Sequence, residues 1–311
     1  MAPIASHPNG ALSKIVKIDP ALHQKRKPDW LRVRFPSSPV FHSTKSLISD
    51  LHLVTVCEEA QCPNRWECWS AGTATFMIAG ERCTRACGFC AVDTAKPFPL
   101  DPDEPRRVAE AIGRLKLRHI VLTSVCRDDI EDGGAEHFAQ TIRAIRALSP
   151  ALVVEVLTPD FNGRLESLQT VADAAPDVFN HNLETVERLT PLVRSRAKYR
   201  LSLQVLEQFR ELAPSIATKS GLMLGLGERE EEILASMDDL RAVGVQVLTL
   251  GQYLRPTPSH LPVVEYVTPE KFEEYRKIGI EKGFQHVASG PLVRSSYHAA
   301  EYDPTKDSHT K

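Results

Sequence analysis

Six of the seven cysteines fall in two triplets between residues 57 and 90. Cys57, Cys62 and Cys68 are spaced C-x4-C-x5-C within VCEEAQCPNRWECW, and Cys83, Cys87 and Cys90 are spaced C-x3-C-x2-C within ERCTRACGFC. Thiolates are soft donors that suit zinc or iron–sulfur clusters. Three is one short of the four that close a structural zinc or an iron–sulfur cube. A cube held by three cysteines keeps one iron open to a small molecule or an unusual side chain. Each triplet is therefore a candidate reaction centre. The competing reading is a zinc site completed by histidine, but His52 is the only histidine in residues 43–118 and precedes both triplets. Three disulfides are disfavoured in a reducing cytoplasm, the compartment this composition suggests.

The elements that must position these thiols begin near residue 72. Upstream, the chain is rich in Pro, Ser and Lys with little periodicity. KPDWLRVRFP (27–36) reads as an extended segment anchored by Trp30 and Phe35, and Thr44 reads as the cap of a short helix, STKSLISDL. Residues 1–35 carry seven Lys or Arg against Asp19 and Asp29, which reads as a solvated, partner-facing arm. Beyond residue 72, apolar runs alternate with amphipathic patterns. Strands are predicted at TATFMIA (73–79), HIVLTSV (119–125), LVVEVLT (152–158), VFNHNLE (178–184), KSGLMLG (219–225) and VQVLTLG (245–251). Between them, Val108, Ile112 and Leu115 share a helix face opened by Pro105, as do Phe138, Ile142 and Ile145. Leu165, Leu168 and Val171 mark a further helix, Leu203, Leu206 and Phe209 another, and Ile233, Met237 and Leu240 the last. Alternation of this kind predicts an α/β protein with parallel strands and right-handed crossovers. The expected architecture is a partial (βα)6 parallel barrel, with a doubly wound sheet as the alternative. In either, function gathers at the strands' C-terminal ends, where Thr123, Ser124, Asn180, Asn182, Glu184, Gln252 and Arg255 lie.

Bulk properties exclude several classes. A chain of 311 residues with 42% hydrophobic content can bury a large core without covalent staples. The net charge of −2 gives no global attraction to nucleic acid or membrane. No apolar run approaches the ~20 residues of a membrane span, and the N-terminus lacks a secretory pattern. The expected location is the cytoplasm.

The second triplet directly follows the first predicted strand, with Phe89 before its last cysteine. In that context it resembles the radical S-adenosylmethionine (SAM) superfamily, whose fold is a partial parallel barrel. The resemblance implies a [4Fe–4S] cluster on Cys83, Cys87 and Cys90. Its fourth iron binds the amino and carboxylate groups of SAM, and an electron from it cleaves the sulfonium to a 5′-deoxyadenosyl radical.

The first triplet narrows the resemblance. CEEAQCPNRWECW followed by GTATFMIAGERCTRACGFC is similar to the lipoyl synthase family, as are KPDWLRVRFP, LTSVCRDDIEDGG, VFNHNLETV, KSGLMLGLGE, GQYLRPTPSHLPV and the tail GPLVRSSYHA. The likeness runs from about residue 27 onward. It implies insertion of two sulfur atoms at C6 and C8 of an octanoyl chain bound to a lysine of a lipoyl carrier protein, consuming two SAM. It also implies an auxiliary [4Fe–4S] cluster that supplies the sulfur, held by Cys57, Cys62, Cys68 and the second serine of the tail pair, Ser296. A serine oxygen is harder than a thiolate and suits iron less well, so it is the ligand more readily displaced when a cluster must open. The implied partners are octanoylated lipoyl domains of 2-oxoacid dehydrogenase E2 subunits, the glycine cleavage H protein, an electron donor such as ferredoxin or flavodoxin, and iron–sulfur carrier proteins. The chain then divides into an N-terminal extension with the auxiliary cysteines (1–71), the barrel (72–285) and a C-terminal segment supplying the serine (286–311). Biotin synthase and the methylthiotransferases are the alternatives among sulfur-inserting enzymes; the adjacent triplets and the tail favour lipoyl synthase.

Other residues have plainer readings. Asn180, Asn182 and Glu184 alternate along one strand and so share a face, either as contacts to SAM or as an internal network. Thr123, Lys219 and Met223 are further candidate SAM contacts, with surface ion pairing the alternative for Lys219 and for Arg255. The glycines of GLMLGLGE do not follow the dinucleotide-binding pattern. Cys126 reads as a small core hydrophobe.

Overall fold

The computed structural model describes residues 27–32, 38–70, 74–115, 117, 119–297 and 299–302. Seven parallel strands form its centre: β1 (Thr75–Ile78), β2 (His119–Ser124), β3 (Val153–Leu157), β4 (Val178–Asn180), β5 (Ala217–Leu224), β6 (Val247–Gln252) and β7 (His286–Gly290). They neighbour one another in chain order, with a two-residue antiparallel strand, Val54–Thr55, on the β1 edge. Sequential order without reversal means that every crossover runs in one direction. A doubly wound sheet reverses at a switch point, so the alternative is set aside in favour of an open parallel barrel. β1 to β6 are buried along most of their length, as expected where both faces of a parallel sheet are covered; in β7 only Val287 is buried.

The helices that cover them are α2 (Glu104–Leu115), α3 (Ala135–Leu148), α4 (Leu165–Asp173), α5 (Tyr199–Leu212), α6 (Glu230–Ala242) and α7 (Pro269–Glu281); α1 (Pro39–Asp50) lies outside the barrel. Their apolar stripes supply the core: Val108 and Ile112, Phe138 and Ile142, Leu168 and Val171, Leu206 and Phe209, and Met237 and Leu240 are all buried. Phe209 stacks on Phe179 of β4 at 3.6 Å between ring centroids. Start signals are chemical. Thr268 caps α7 by accepting from the Lys271 N–H at 3.3 Å, and Glu232 reaches back to the Arg229 N–H at 2.9 Å before α6.

Several expectations need correction. β7 was not among the six predicted strands, yet it pairs with β6 from His286↔Val247 to Gly290↔Gly251. β4 stops at Asn180, and the chain returns to the sheet only in an isolated bridge, Glu184↔Leu222. Ser38, not Thr44, caps the helix before Cys57, accepting from the Phe41 N–H at 3.1 Å. Thr44 lies inside α1, and its hydroxyl donates to the Trp69 carbonyl at 3.3 Å. Asp29–Leu31 is a 3-10 turn rather than extended chain; Leu31 is its buried anchor while Trp30 is exposed. Phe35 and most of the basic arm lie outside the described residues. Leu165 is exposed at the start of α4. No helix among the described residues is long and apolar enough to cross a membrane.

Candidate iron–sulfur and SAM site

Both triplets face one cavity of about 790 Å³ that runs from the loops at the C-terminal ends of the strands down to His119, Ala299 and Glu301. The first triplet is carried on two short helices, Val56–Glu59 and Arg65–Ser70. Cys57 is the second residue of the first, Cys68 lies on the second, and Cys62 sits in the turn between, its N–H bonded to the Cys57 carbonyl at 3.1 Å. Trp69, fully buried beside Phe41, fixes the second helix to α1.

The second triplet occupies the loop after β1. That loop starts with two residues of positive φ, Ala79 and Gly80. The Ala79 peptide is gripped on both sides: its N–H donates to the buried Glu104 carboxylate at 2.8 Å and its carbonyl accepts from Arg127 at 3.0 Å. Further along, the Gly88 N–H donates to Val193, the Gly88 carbonyl accepts from Leu261, and the His260 ring bonds the Cys90 carbonyl at 2.9 Å.

The thiols differ electrostatically. Burial pushes Cys57 and Cys87 up to about 11 and Cys90 up to about 12. Cys83 is drawn down to about 6, chiefly by a hydrogen bond from the Cys126 thiol. Cys126 therefore departs from its expected place in the core. It is half-buried on the cavity wall, and its backbone N–H lies 3.3 Å from the Cys83 sulfur.

The tail reaches the same cavity. Residues Val293 to Tyr297 line it, and two residues of the first triplet's own segment hold them there. Asn64 donates to the Leu292 carbonyl at 2.7 Å, and the Tyr297 hydroxyl donates to Glu67 at 3.1 Å. Ser295 and Ser296 both lie between these clamps. The neighbouring Arg294 is held below the usual guanidinium range by burial, with Cys62 nearby. The chain then passes to the far end of the barrel, where Tyr302 packs on Val178, Ala217 and Val247 at the strand starts.

Of the residues expected to contact SAM, Thr123, Asn182, Glu184 and Met223 line the cavity. Asn182 donates to the Glu184 carboxylate at 3.1 Å, and burial raises the pKa of Glu184 against the opposing charge of Arg194. Asn180 and Lys219 do not reach the wall. Both bond Glu155 inside the barrel, at 3.1 Å and 2.9 Å. Gln252 does reach the wall, while its amide donates to the carbonyls of Leu224, Tyr253 and Glu265. Arg85, Arg194 and His181 also line the cavity, although no motif marks them. Arg194 bonds the Asn182 and Leu183 carbonyls and Ser202. His181 is held neutral, its pKa lowered to about 4 by burial, between the Thr158 carbonyl and Ser202. Their only sequence signal is a charged or imidazole side chain near a strand end.

The site suits the groups implied for it. Its donors are cysteines with free thiols. Among the described residues, no three His, Cys, Asp or Glu side chains converge tightly enough for a single ion; a cube spreads its ligands over separate corner irons. Ser124, Thr158 and Asn182 each present a buried oxygen to this wall without a protein partner, which matches a polar ligand such as SAM.

An open parallel barrel with a C-x3-C-x2-C loop after its first strand defines a radical SAM enzyme. Residues 77–240 match the Radical SAM superfamily, and residues 11–62 match the N-terminal domain of lipoyl synthase of the Radical SAM family. Among solved structures, methylornithine synthase aligns over 94% of this chain and 88% of its own with a TM-score of 0.52 and 11% identity. Streptococcus suis SuiB aligns over 69% and 48% with a TM-score of 0.55 and 12% identity. At such identities these show the fold alone. Curated relatives are far more similar. The lipoyl synthase of Rubrobacter xylanophilus is 55% identical over 96% of this chain and 93% of its own. Those of Thermus thermophilus and an Anaeromyxobacter species are 58% and 59% identical over 88% and 89% of this chain, and 86% and 94% of their own. The chain belongs to the lipoyl synthase family, sulfurtransferases whose cofactors are SAM and two [4Fe–4S] clusters.

Proposed function

We propose that Cys83, Cys87 and Cys90 hold the SAM-site cluster, that Cys57, Cys62, Cys68 and Ser296 hold the auxiliary cluster, and that the octanoyl chain of a carrier lysine enters between them. The supporting observation is that both triplets and the serine pair wall a single cavity. When bound, the cofactors supply reductive SAM cleavage at one set of thiols and a store of sulfide at the other. The protein's part is binding, orientation and exclusion of water.

Several side chains carry that part. Thr123, Asn182, Glu184 and Met223 form the SAM wall, while Arg194 places a buried cation beside Glu184 and Cys87. Asn180 and Lys219 act indirectly, by holding Glu155 beneath that wall. Gly221 lets the wall close: a Cβ there would fall 2.4 Å from the Thr249 hydroxyl. The Asn64 and Glu67 clamps keep Ser296 with the first triplet. In this division, residues 1–71 bring the auxiliary cysteines, 72–285 the barrel and 286–311 the serine. The carriers we propose are E2 lipoyl domains and the glycine cleavage H protein, with ferredoxin or flavodoxin as reductant, in a cytoplasm that keeps the thiols reduced.

Anaerobic turnover with SAM, reductant and an octanoylated carrier tests this. Mass spectrometry should show the carrier gaining two sulfurs, from protein reconstituted with about eight iron per chain, as two cubes require. A four-iron limit, or a carrier that gains no sulfur, would overturn the reading.

A further inference from the structure

Between Cys83 and Cys87 the loop carries Arg85, which is almost fully buried and has no acid–base task in the reaction. Its Nε and Nη2 donate to the Asp128 carboxylate at 2.8 and 2.7 Å. Its Nη1 and Nη2 donate to Asp160 at 2.7 Å each, and Nη2 also reaches Asn162 Oδ1 at 2.9 Å. Asp128 follows β2 and Asp160 follows β3, so one side chain ties the loop after β1 to the loops after the next two strands.

The partners are themselves fixed. Asp128 accepts from the Thr84 hydroxyl at 3.0 Å and from the Asn162 amide at 3.1 Å. Asp160 accepts from the Asn162 N–H at 3.0 Å. The Arg85 backbone closes the arrangement, its N–H lying 3.4 Å from the Cys83 sulfur and its carbonyl accepting from Thr94 at 3.3 Å. Side-chain exposure is 4% for Arg85 and 1% for Asp160, so water does not replace that half of the fork; Asp128, at 16%, is its more exposed half. Of the three charged groups only Arg85 lines the cavity; the two carboxylates lie behind it, and Arg196 adds a second, exposed cation 3.8 Å from Asp128. Only arginine has the planar fork that serves both; a lysine serves one at a time.

We propose that Arg85 is a positioning residue: gripped by Asp128 and Asp160, it sets the spacing of Cys83 and Cys87 that receives the SAM-site cluster, and its cation on the cavity wall raises that cluster's reduction potential while the Asp160 carboxylate behind it lowers it. This rests on the assignment of Cys83, Cys87 and Cys90 to that cluster.

The test uses the full chain carrying Cys62→Ala, so that anaerobic reconstitution loads the second triplet. Iron per chain and midpoint potential, followed by electron paramagnetic resonance, are compared for added Arg85→Gln, Arg85→Lys and Asp160→Asn. Arg85→Gln should lower iron loading severalfold and move the potential of the remaining cluster negative. Asp160→Asn should move it positive, and Arg85→Lys should load between Gln and wild type. Opposite shifts are the signature that a merely structural role would not give. As a control on folding, Arg85→Gln in a Cys87→Ala chain should load the first triplet normally. Failure of that control, or full loading at an unmoved potential in the Arg85→Gln chain, overturns the inference. If Cys62→Ala alone loads no iron, the triplet assignment falls and the inference falls with it. If Cys62→Ala loads and Arg85→Gln matches it, only the inference falls.

Discussion

Asn64→Ala cuts the tail from the first triplet at a single part-buried bond. Asn64 is 2% exposed, and its amide donates to the Leu292 carbonyl at 2.7 Å. Alanine leaves that carbonyl without a partner, a cost of about 1–3 kcal/mol. At about 1.4 kcal/mol per tenfold, the tail's docking equilibrium shifts by roughly five- to 150-fold. The second clamp, Tyr297 on Glu67, is exposed and competes with water, so it compensates little. The second triplet is anchored by other residues, Glu104, Arg127 and His260 among them. The variant should therefore lose sulfur insertion while keeping SAM cleavage. The assay is anaerobic turnover with two readouts, lipoylated carrier by mass spectrometry and 5′-deoxyadenosine by chromatography. Lipoyl yield should fall at least about fivefold, the lower end of that shift, with deoxyadenosine little changed. A parallel fall in both products would mean that Asn64 acts on the whole cavity. An unchanged lipoyl yield would mean that the tail is not placed by this clamp.

Further outcomes follow from other parts of the molecule. Gly221→Ala puts a methyl group 2.4 Å from the Thr249 hydroxyl and 3.1 Å from Asn182; SAM affinity should drop severalfold at unchanged iron content, as read by equilibrium binding. Ser296→Cys should preserve the auxiliary cluster's iron yet give little product, because a thiolate holds iron more tightly; Ser295→Ala should do far less harm, and the reverse pattern would exchange the two serines. Asp160 has its pKa brought from 3.8 to about 2, because Arg85 outweighs burial. A depressed carboxylate contributes stability that is present above the unfolded value and lost as pH falls through the folded one, here about 2 kcal/mol between pH 4 and 2. Asp160→Asn should flatten the acid limb of a urea-stability profile over that range. Phe209→Ala removes the ring stacked on Phe179 and should cost about 3–5 kcal/mol in the same measurement, with no preference for either cluster.

The cysteine sets were legible because their chemistry needs fixed local spacing, which the sequence displays directly. The six strands from β1 to β6 were legible because a parallel strand buried on both faces must be an apolar run. β7 was not, since HVASG has one large apolar residue, Val287, and is recruited by its register with β6. The end of β4 misled for a different reason. NHNLE alternates as a strand should, but the His181 ring is held by Thr158 and Ser202, and Glu184 adopts φ 67°. The alternation therefore did not place Asn180 with Asn182 and Glu184. Lys219 and Asn180 meet Glu155, which lies 64 and 25 residues away in sequence, and no local pattern announces such a partner. Cys126 carried no spacing signal, and only the fold brings it to Cys83.

The division of labour between the triplets is the central claim, and crossed cysteine variants measure it most directly. Wild type, Cys62→Ala and Cys87→Ala are each given SAM, reductant and octanoylated carrier anaerobically, and 5′-deoxyadenosine and lipoylated carrier are counted per chain. Cys62→Ala should still form 5′-deoxyadenosine but no lipoylated carrier, and Cys87→Ala should form neither. Lipoylated carrier at wild-type yield from the Cys62 variant, or 5′-deoxyadenosine from the Cys87 variant, would contradict it.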